Sequence, residues 1–138
     1  MTADGLLIRY ELRKTNIRKE VLESFISSEG RALSHSQLEL MLEDTDRVTL
    51  YRTLKTFEQK GIIHQAVDGS GIMKFALCGH QQCAMEQHSH QHAHFHCKKC
   101  GNTICLDEET TSKIQTPVGY AVDDTHIILK GICVKCNV

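Results

Sequence analysis

Two Cys-x-x-Cys pairs, Cys97-Lys-Lys-Cys100 and Cys133-Val-Lys-Cys136, restrict this chain more than anything else in it. Four cysteines so paired are the donor set of a closed tetrahedral metal site, and any fold that satisfies them must bring the chain back to where it left the first pair. A second feature runs into that first pair: His88, His90, His92, His94 and His96 alternate up to Cys97. Successive side chains of extended backbone point to opposite faces, so the five histidines look one way and Cys97 the other. Imidazole and thiolate both suit zinc and its divalent neighbours, and the arrangement fits two metal sites back to back. Taken alone, the histidines also read as a low-complexity polar loop that holds metal only as an affinity tag does.

A metal staple answers a shortage of core. The 138 residues make one domain or two small ones, and a half of that size buries little apolar surface. No apolar run approaches the length of a membrane span, and Met1-Thr-Ala-Asp-Gly5 lacks the charged start and apolar centre of a signal peptide. The expected location is the cytoplasm, with no membrane partner. In that reducing compartment seven cysteines read as ligands or redox groups, and no structural disulfide is expected.

Net charge is −1, which argues against a bulk nucleic-acid binder. The distribution is less even: Arg9, Arg13, Lys14, Arg18 and Lys19 fall in one segment, and Arg47, Arg52, Lys55 and Lys60 in another. Such clusters are either a solvated helix face or a surface for phosphates, and the fold decides between them.

Up to residue 61 the chain has helical period. Leu6, Leu7 and Tyr10 form a short amphipathic segment, and Ile17, Val21, Leu22, Phe25 and Ile26 follow Thr15, an N-cap. Ser34-His35-Ser36-Gln37 has the spacing of a capping box, with Leu33 and Leu38 placed as its hydrophobic staple, and predicts a helix from Ser34 to about Glu43. Asp44 to Asp46 offers a further cap before Val48, Leu50, Leu54 and Phe57, and Gly61 ends that helix. Residues 62–67 and 72–77 then change to strand-like runs around Asp68-Gly69-Ser70-Gly71, which reads as a hairpin. Helices followed by a hairpin predict a winged helix, whose fourth helix presents Thr49, Tyr51, Arg52 and Lys55 to DNA. A helical domain with a capping hairpin and no role on DNA satisfies the same pattern.

Four stretches go further. Asp46-Arg47-Val48-Thr49-Leu50-Tyr51-Arg52-Thr53-Leu54, Glu58-Gln59-Lys60-Gly61-Ile62-Ile63, His94-Phe95-His96-Cys97-Lys98-Lys99-Cys100-Gly101 and Leu129-Lys130-Gly131-Ile132-Cys133-Val134-Lys135-Cys136 closely resemble the ferric uptake regulator family, in the family's order and across most of the chain. The resemblance implies an α/β (α+β) protein: an N-terminal winged-helix DNA-binding domain, residues 1–79, and a small C-terminal α/β dimerisation domain, residues 80–138, with a four-cysteine zinc site. It implies a homodimeric metal-responsive transcription regulator, usually a repressor, on a palindromic double-stranded operator. No enzymatic activity and no small-molecule substrate are expected.

Residue by residue, the resemblance places Tyr51 and Arg52 at the DNA-contacting pair and Arg13 at the basic residue that reaches toward the minor groove. Cys97, Cys100, Cys133 and Cys136 fall at the structural zinc site. His92 and His94 fall at the paired sensory histidines. Cys78 and His64 fall where the zinc-uptake-regulator branch places further ligands, which gives a sensory set of His64, Cys78, His92 and His94, with His90 as an alternative. Cys105 stands where the family has a sensory glutamate. It is either a ligand or a small buried hydrophobe beside Ile104 and Leu106. Gln91 and Ala93 replace ligands of the family's second site, so that site is absent or rebuilt from His90, His96 and Cys105, and His126 lies one residue from that site's remaining histidine. The stretch between the two cysteine pairs is expected to include a helix from Asp107 to Ile114. Ala32 replaces a histidine of the iron-sensing relatives, and His35 reads as a surface residue. Thiolates in place of carboxylates favour zinc as the regulatory divalent metal. Iron, manganese or peroxide sensing within the family, and zinc storage or delivery outside it, are the alternatives.

Overall fold

The computed structural model describes residues 1–77, 93–106, 115–123 and 125–137. Its helices begin where local chemistry tells them to. Helix α1, Ala3–Arg9, starts at Thr2, whose hydroxyl accepts from Gly5 N at 3.0 Å, and α2, Asn16–Ser27, starts at Thr15. After the short strand β1, Leu33–Ser34, helix α3, His35–Met41, carries the full capping box. Ser34 N donates to Gln37 Oε1 at 2.8 Å, Gln37 N donates back to Ser34 Oγ at 3.1 Å, and Leu33 and Leu38 are both buried. This helix stops two residues before Glu43 because Leu42 leaves helical backbone and enters the core, 9% exposed.

Helix α4, Arg47–Lys60, is capped by Asp46 and ended by Gly61, whose φ of +79° is the left-handed conformation that glycine adopts without a Cβ clash. Its buried stripe is Leu50, Thr53, Leu54 and Phe57, spaced for one helix face. Val48, read from the sequence as part of that stripe, is 58% exposed, and Thr53 takes the inward position. Strands β2, Ile63–Gln65, and β3, Lys74–Leu77, pair antiparallel, and β1 adds to β3, so the wing is a three-stranded sheet of order β1-β3-β2. Leu7, Leu22, Phe25, Leu38, Phe57 and Phe75 belong to one apolar cluster that these helices and the wing enclose. This is a winged helix. The hairpin is shorter than its two sequence runs, with a longer connection, because Asp68 turns into the protein instead of sitting in an exposed turn.

The C-terminal sheet has order β5-β4-β6. Strand β4, Ala93–Cys97, pairs antiparallel with β5, Thr103–Cys105, and parallel with β6, Ile127–Gly131. Parallel neighbours need a long connection, and here residues 98–126 supply it, with β5 carrying the chain back along β4. The helix expected over Asp107 to Ile114 lies outside the described residues. The two sheets touch: Ala32 N donates to Thr103 O at 2.7 Å, and Arg31 bridges Ile104. No described helix is long and apolar enough to cross a membrane.

Candidate metal centres and nucleic-acid interface

The parallel pairing of β4 with β6 sets Cys97 opposite Gly131, so both strands release their Cys-x-x-Cys turns at the same end of the sheet. The four sulfurs of Cys97, Cys100, Cys133 and Cys136 lie within 4.8 Å of one another. Cys100 and Cys133 are 3.8 Å apart, far beyond a disulfide bond of about 2.05 Å. That separation matches the edge, about 3.8 Å, of a tetrahedron with zinc–sulfur bonds of about 2.3 Å. The backbone N–H groups of Cys100 and Cys133 both point at Cys97 Sγ, at 3.5 and 3.3 Å, and hold this thiol down to about 6. Cys136 moves the other way: its hydrogen bond with Cys133, burial, and the nearby Cys100 and Cys97 sulfurs push it up to about 12. The surroundings thus favour the thiolate at Cys97 and disfavour it at Cys136, and a bound cation would be needed for all four sulfurs to lose their protons together.

Across the same sheet, the alternation of β4 sends His94 and His96 to the face opposite Cys97, against the wing. There His64 of β2 meets His94 of β4 and Cys105 of β5. The donor atoms of these three residues lie within 4.8 Å of one another, with His64 Nε2 3.0 Å from Cys105 Sγ and the two imidazole centroids 5.9 Å apart. His94 and Cys105 are ladder partners, and His64 and His94 are 4% and 5% exposed. The set is nitrogen and sulfur, and it joins the winged helix to the C-terminal sheet. Of the residues expected there, His64 and His94 come together, Cys105 joins them, and Cys78, His90 and His92 lie outside the described residues. Cys78 and His92 directly adjoin the described strand ends Leu77 and Ala93.

His96 goes elsewhere. Its Nδ1 is 2.9 Å from Thr103 Oγ1 and 3.4 Å from Asp68 Oδ2. A second site rebuilt from His90, His96 and Cys105 is therefore not assembled by the described residues, because Cys105 sits with His64 and His96 with Asp68. His126 is exposed and joins neither group. His35 is the first residue of α3 and pairs with Glu39 at 2.9 Å. Burial raises the Asp68 carboxyl, but hydrogen bonds from Lys74, Ser70 and Thr103 outweigh it and hold the group well below the usual carboxylate range. Neither Asp68 nor Lys74 is evident from sequence motifs. The available signal is a lysine inside the apolar run from Ile72 to Leu77, an inward charge that needs a partner.

On the outer face of α4, Tyr51, Arg52 and Lys55 are exposed, as is Arg13 before α2. The Lys55 ammonium lies 5.8 Å from the centre of the Tyr51 ring and 4.0 Å from Glu58. Thr49 donates its hydroxyl proton to Asp46 at 2.9 Å, so it offers a ligand only an acceptor and a methyl group. Arg47 is held by Glu39 at 3.0 Å.

Comparison with known proteins agrees with this geometry. The Ferric uptake regulator family profile matches residues 9–130. The ferric uptake regulation protein of Staphylococcus epidermidis is 30% identical over 142 residues, covering 99% of this chain and 96% of the relative. A zinc uptake regulator solved with zinc and DNA superposes with a TM-score of 0.68 at 25% identity, covering 97% of this chain and 89% of that one. The Vibrio cholerae ferric uptake regulator shares the fold, with a TM-score of 0.63 at 24% identity, covering 94% of this chain and 98% of that one. A winged helix, a cysteine knuckle and a donor cluster between them are thus found together in a chain that belongs to the Ferric uptake regulator family, whose members are metal-responsive transcription regulators.

Proposed function

We propose that this chain is a zinc-responsive repressor that binds a palindromic operator as a homodimer in the cytoplasm. The observation that carries the reading is the donor set at the hinge: His64, His94 and Cys105 offer two imidazoles and a thiolate, with no carboxylate in the group. That softness favours zinc over iron or manganese. Either Cys78 or His92, which adjoin the described strand ends in sequence, supplies the fourth ligand, and the wing and the C-terminal sheet are then joined through the ion. Cys97, Cys100, Cys133 and Cys136 hold a second zinc with no open position, which is a staple.

The boundary between the DNA-binding and dimerisation domains is placed at residues 79 and 80. Arg13, Thr49, Tyr51, Arg52 and Lys55 form the DNA surface, with the arginines and lysine on phosphates and base edges. Dimerisation is supported by the sheet face turned away from the wing, where Ile104, Phe95 and Leu129 stand in one row, with Ile104 41% and Leu129 42% exposed. Two-fold protein symmetry then calls for two half-sites.

Cobalt(II) reports thiolate ligation through a sulfur-to-metal charge-transfer band, so it is titrated into protein that keeps its structural zinc. Wild type should show the band, and Cys105→Ser and Cys78→Ser should each weaken it. Cobalt binding without the band would mean a nitrogen and oxygen site and would move the assignment to iron or manganese.

A further inference from the structure

Two rungs along the β4–β5 ladder from the hinge cluster, and so on the same face, the same two strands meet the wing a second time. His94 faces Cys105, and His96 faces Thr103. The first pair meets His64, and the second meets Asp68 and Lys74, which come from the far end of the wing hairpin. Asp68 is 1% exposed, Lys74 8% and Thr103 0%. Two opposite charges removed from water in this way hold only if their remaining hydrogen-bonding capacity is met. Asp68 Oδ2 takes Lys74 Nζ at 2.7 Å and Thr103 Oγ1 at 2.7 Å, while Oδ1 takes Ser70 N at 2.9 Å. The ammonium also reaches Gly101 O at 3.2 Å and Thr103 Oγ1 at 3.4 Å. Since the one hydroxyl proton of Thr103 goes to Asp68, His96 Nδ1 must be the donor to Thr103 Oγ1.

A backbone contact supports the same placement. The Thr103 carbonyl takes the Ala32 amide. A buried ion pair adds little net stability over an apolar replacement but is well suited to fixing one relative placement of two elements. The cation in this group is a lysine of the chain itself.

We propose that Asp68, Lys74 and Thr103 are positioning residues forming a metal-independent clasp, which holds the wing on the C-terminal sheet and sets the metal concentration at which the hinge site fills. The first half stands on these contacts, and the second rests on the zinc-sensor reading above. A site whose ligands come from two elements binds with an affinity reduced by the fraction of molecules in which they are already together. The clasp raises that fraction before metal arrives.

The test uses full-length protein with its structural zinc in place and the regulatory metal removed. Amide hydrogen exchange is followed at Ala32 and Ala66, with Leu22 as the control for an intact winged-helix core. The variants are Asp68→Asn and the milder Thr103→Val, which keeps the branched shape and removes only the hydroxyl. The expected result is exchange at Ala32 at least about tenfold faster in both variants with Leu22 unchanged, and cobalt affinity at the hinge about tenfold weaker, in line with a loss of the preformed state. Unchanged exchange at Ala32 would overturn the clasp, and faster exchange with unchanged cobalt affinity would overturn its control of the metal threshold. Because the exchange experiment needs no regulatory metal, it decides the clasp even if the cobalt spectrum shows no thiolate and the zinc reading falls.

Discussion

Both carboxylate oxygens of Asp46 are bound to one neighbour, Thr49, through its backbone N–H at 2.6 Å and its hydroxyl at 2.9 Å. These bonds, the backbone one foremost, lower the Asp46 pKa. A carboxyl that is more acidic in the folded state takes up its proton first in the unfolded chain, so its contribution is complete above the unfolded value of about 3.9 and is lost as pH falls through the folded one. Asp46→Asn keeps a good N-cap but gives up the charge that complements the helix N-terminus. Wild type should therefore melt above Asp46→Asn at neutral pH, with the gap closing below about pH 4. A gap that stayed constant across a pH series of thermal melts would show that the charge at this cap adds nothing. Such caps are legible in the sequence because donor and acceptor sit three residues apart, as at Thr15 and Ser34. Asp68 is not, because its partners Lys74 and Thr103 are brought to it by two different strands.

At the scale of elements, the winged helix has its own apolar cluster, whereas the C-terminal sheet leaves Ile104 and Leu129 exposed, and the proposed zinc in the cysteine knuckle would be its staple. Removing one thiolate leaves a site that cannot close around its ion, and structural zinc contributes on the order of 10 kcal/mol to domains of this kind. Cys133→Ser should release the amides of β4 and β6 to exchange while those of α2 and α4 stay protected. Loss of protection in all four elements together would show that the halves fold as one unit. The two cysteine pairs could be read directly, since spacing alone signals them. The placement of Cys105 could not: only the register of β5 on β4 puts it opposite His94 and within reach of His64. The hairpin was legible in period and location, but not the inward turn of Asp68, because an Asp-Gly-Ser-Gly stretch has the same composition whether its carboxylate faces water or lysine.

For the molecule as a whole, the two faces of the C-terminal sheet have different surroundings. One receives the wing through His64 and Asp68. The other carries Ile104, Phe95 and Leu129 and is the proposed seat of a second copy. Leu129→Asp places a charge in that row, where it would have to be desolvated on assembly. The expected result is a monomer in sedimentation at concentrations where wild type is a dimer, with operator affinity lost and cobalt uptake at the hinge retained. A dimer that persists would place the interface elsewhere. The parallel pairing of β4 with β6 also dictates an order of events during synthesis. The apolar cluster of the winged helix draws only on residues up to Leu77, and domains fold as units from the N-terminal side as the chain is made. The knuckle must wait for Cys133 and Cys136, and the sheet that receives the wing waits with it. The part that grips DNA is thus complete before the part that can be told by metal when to do so.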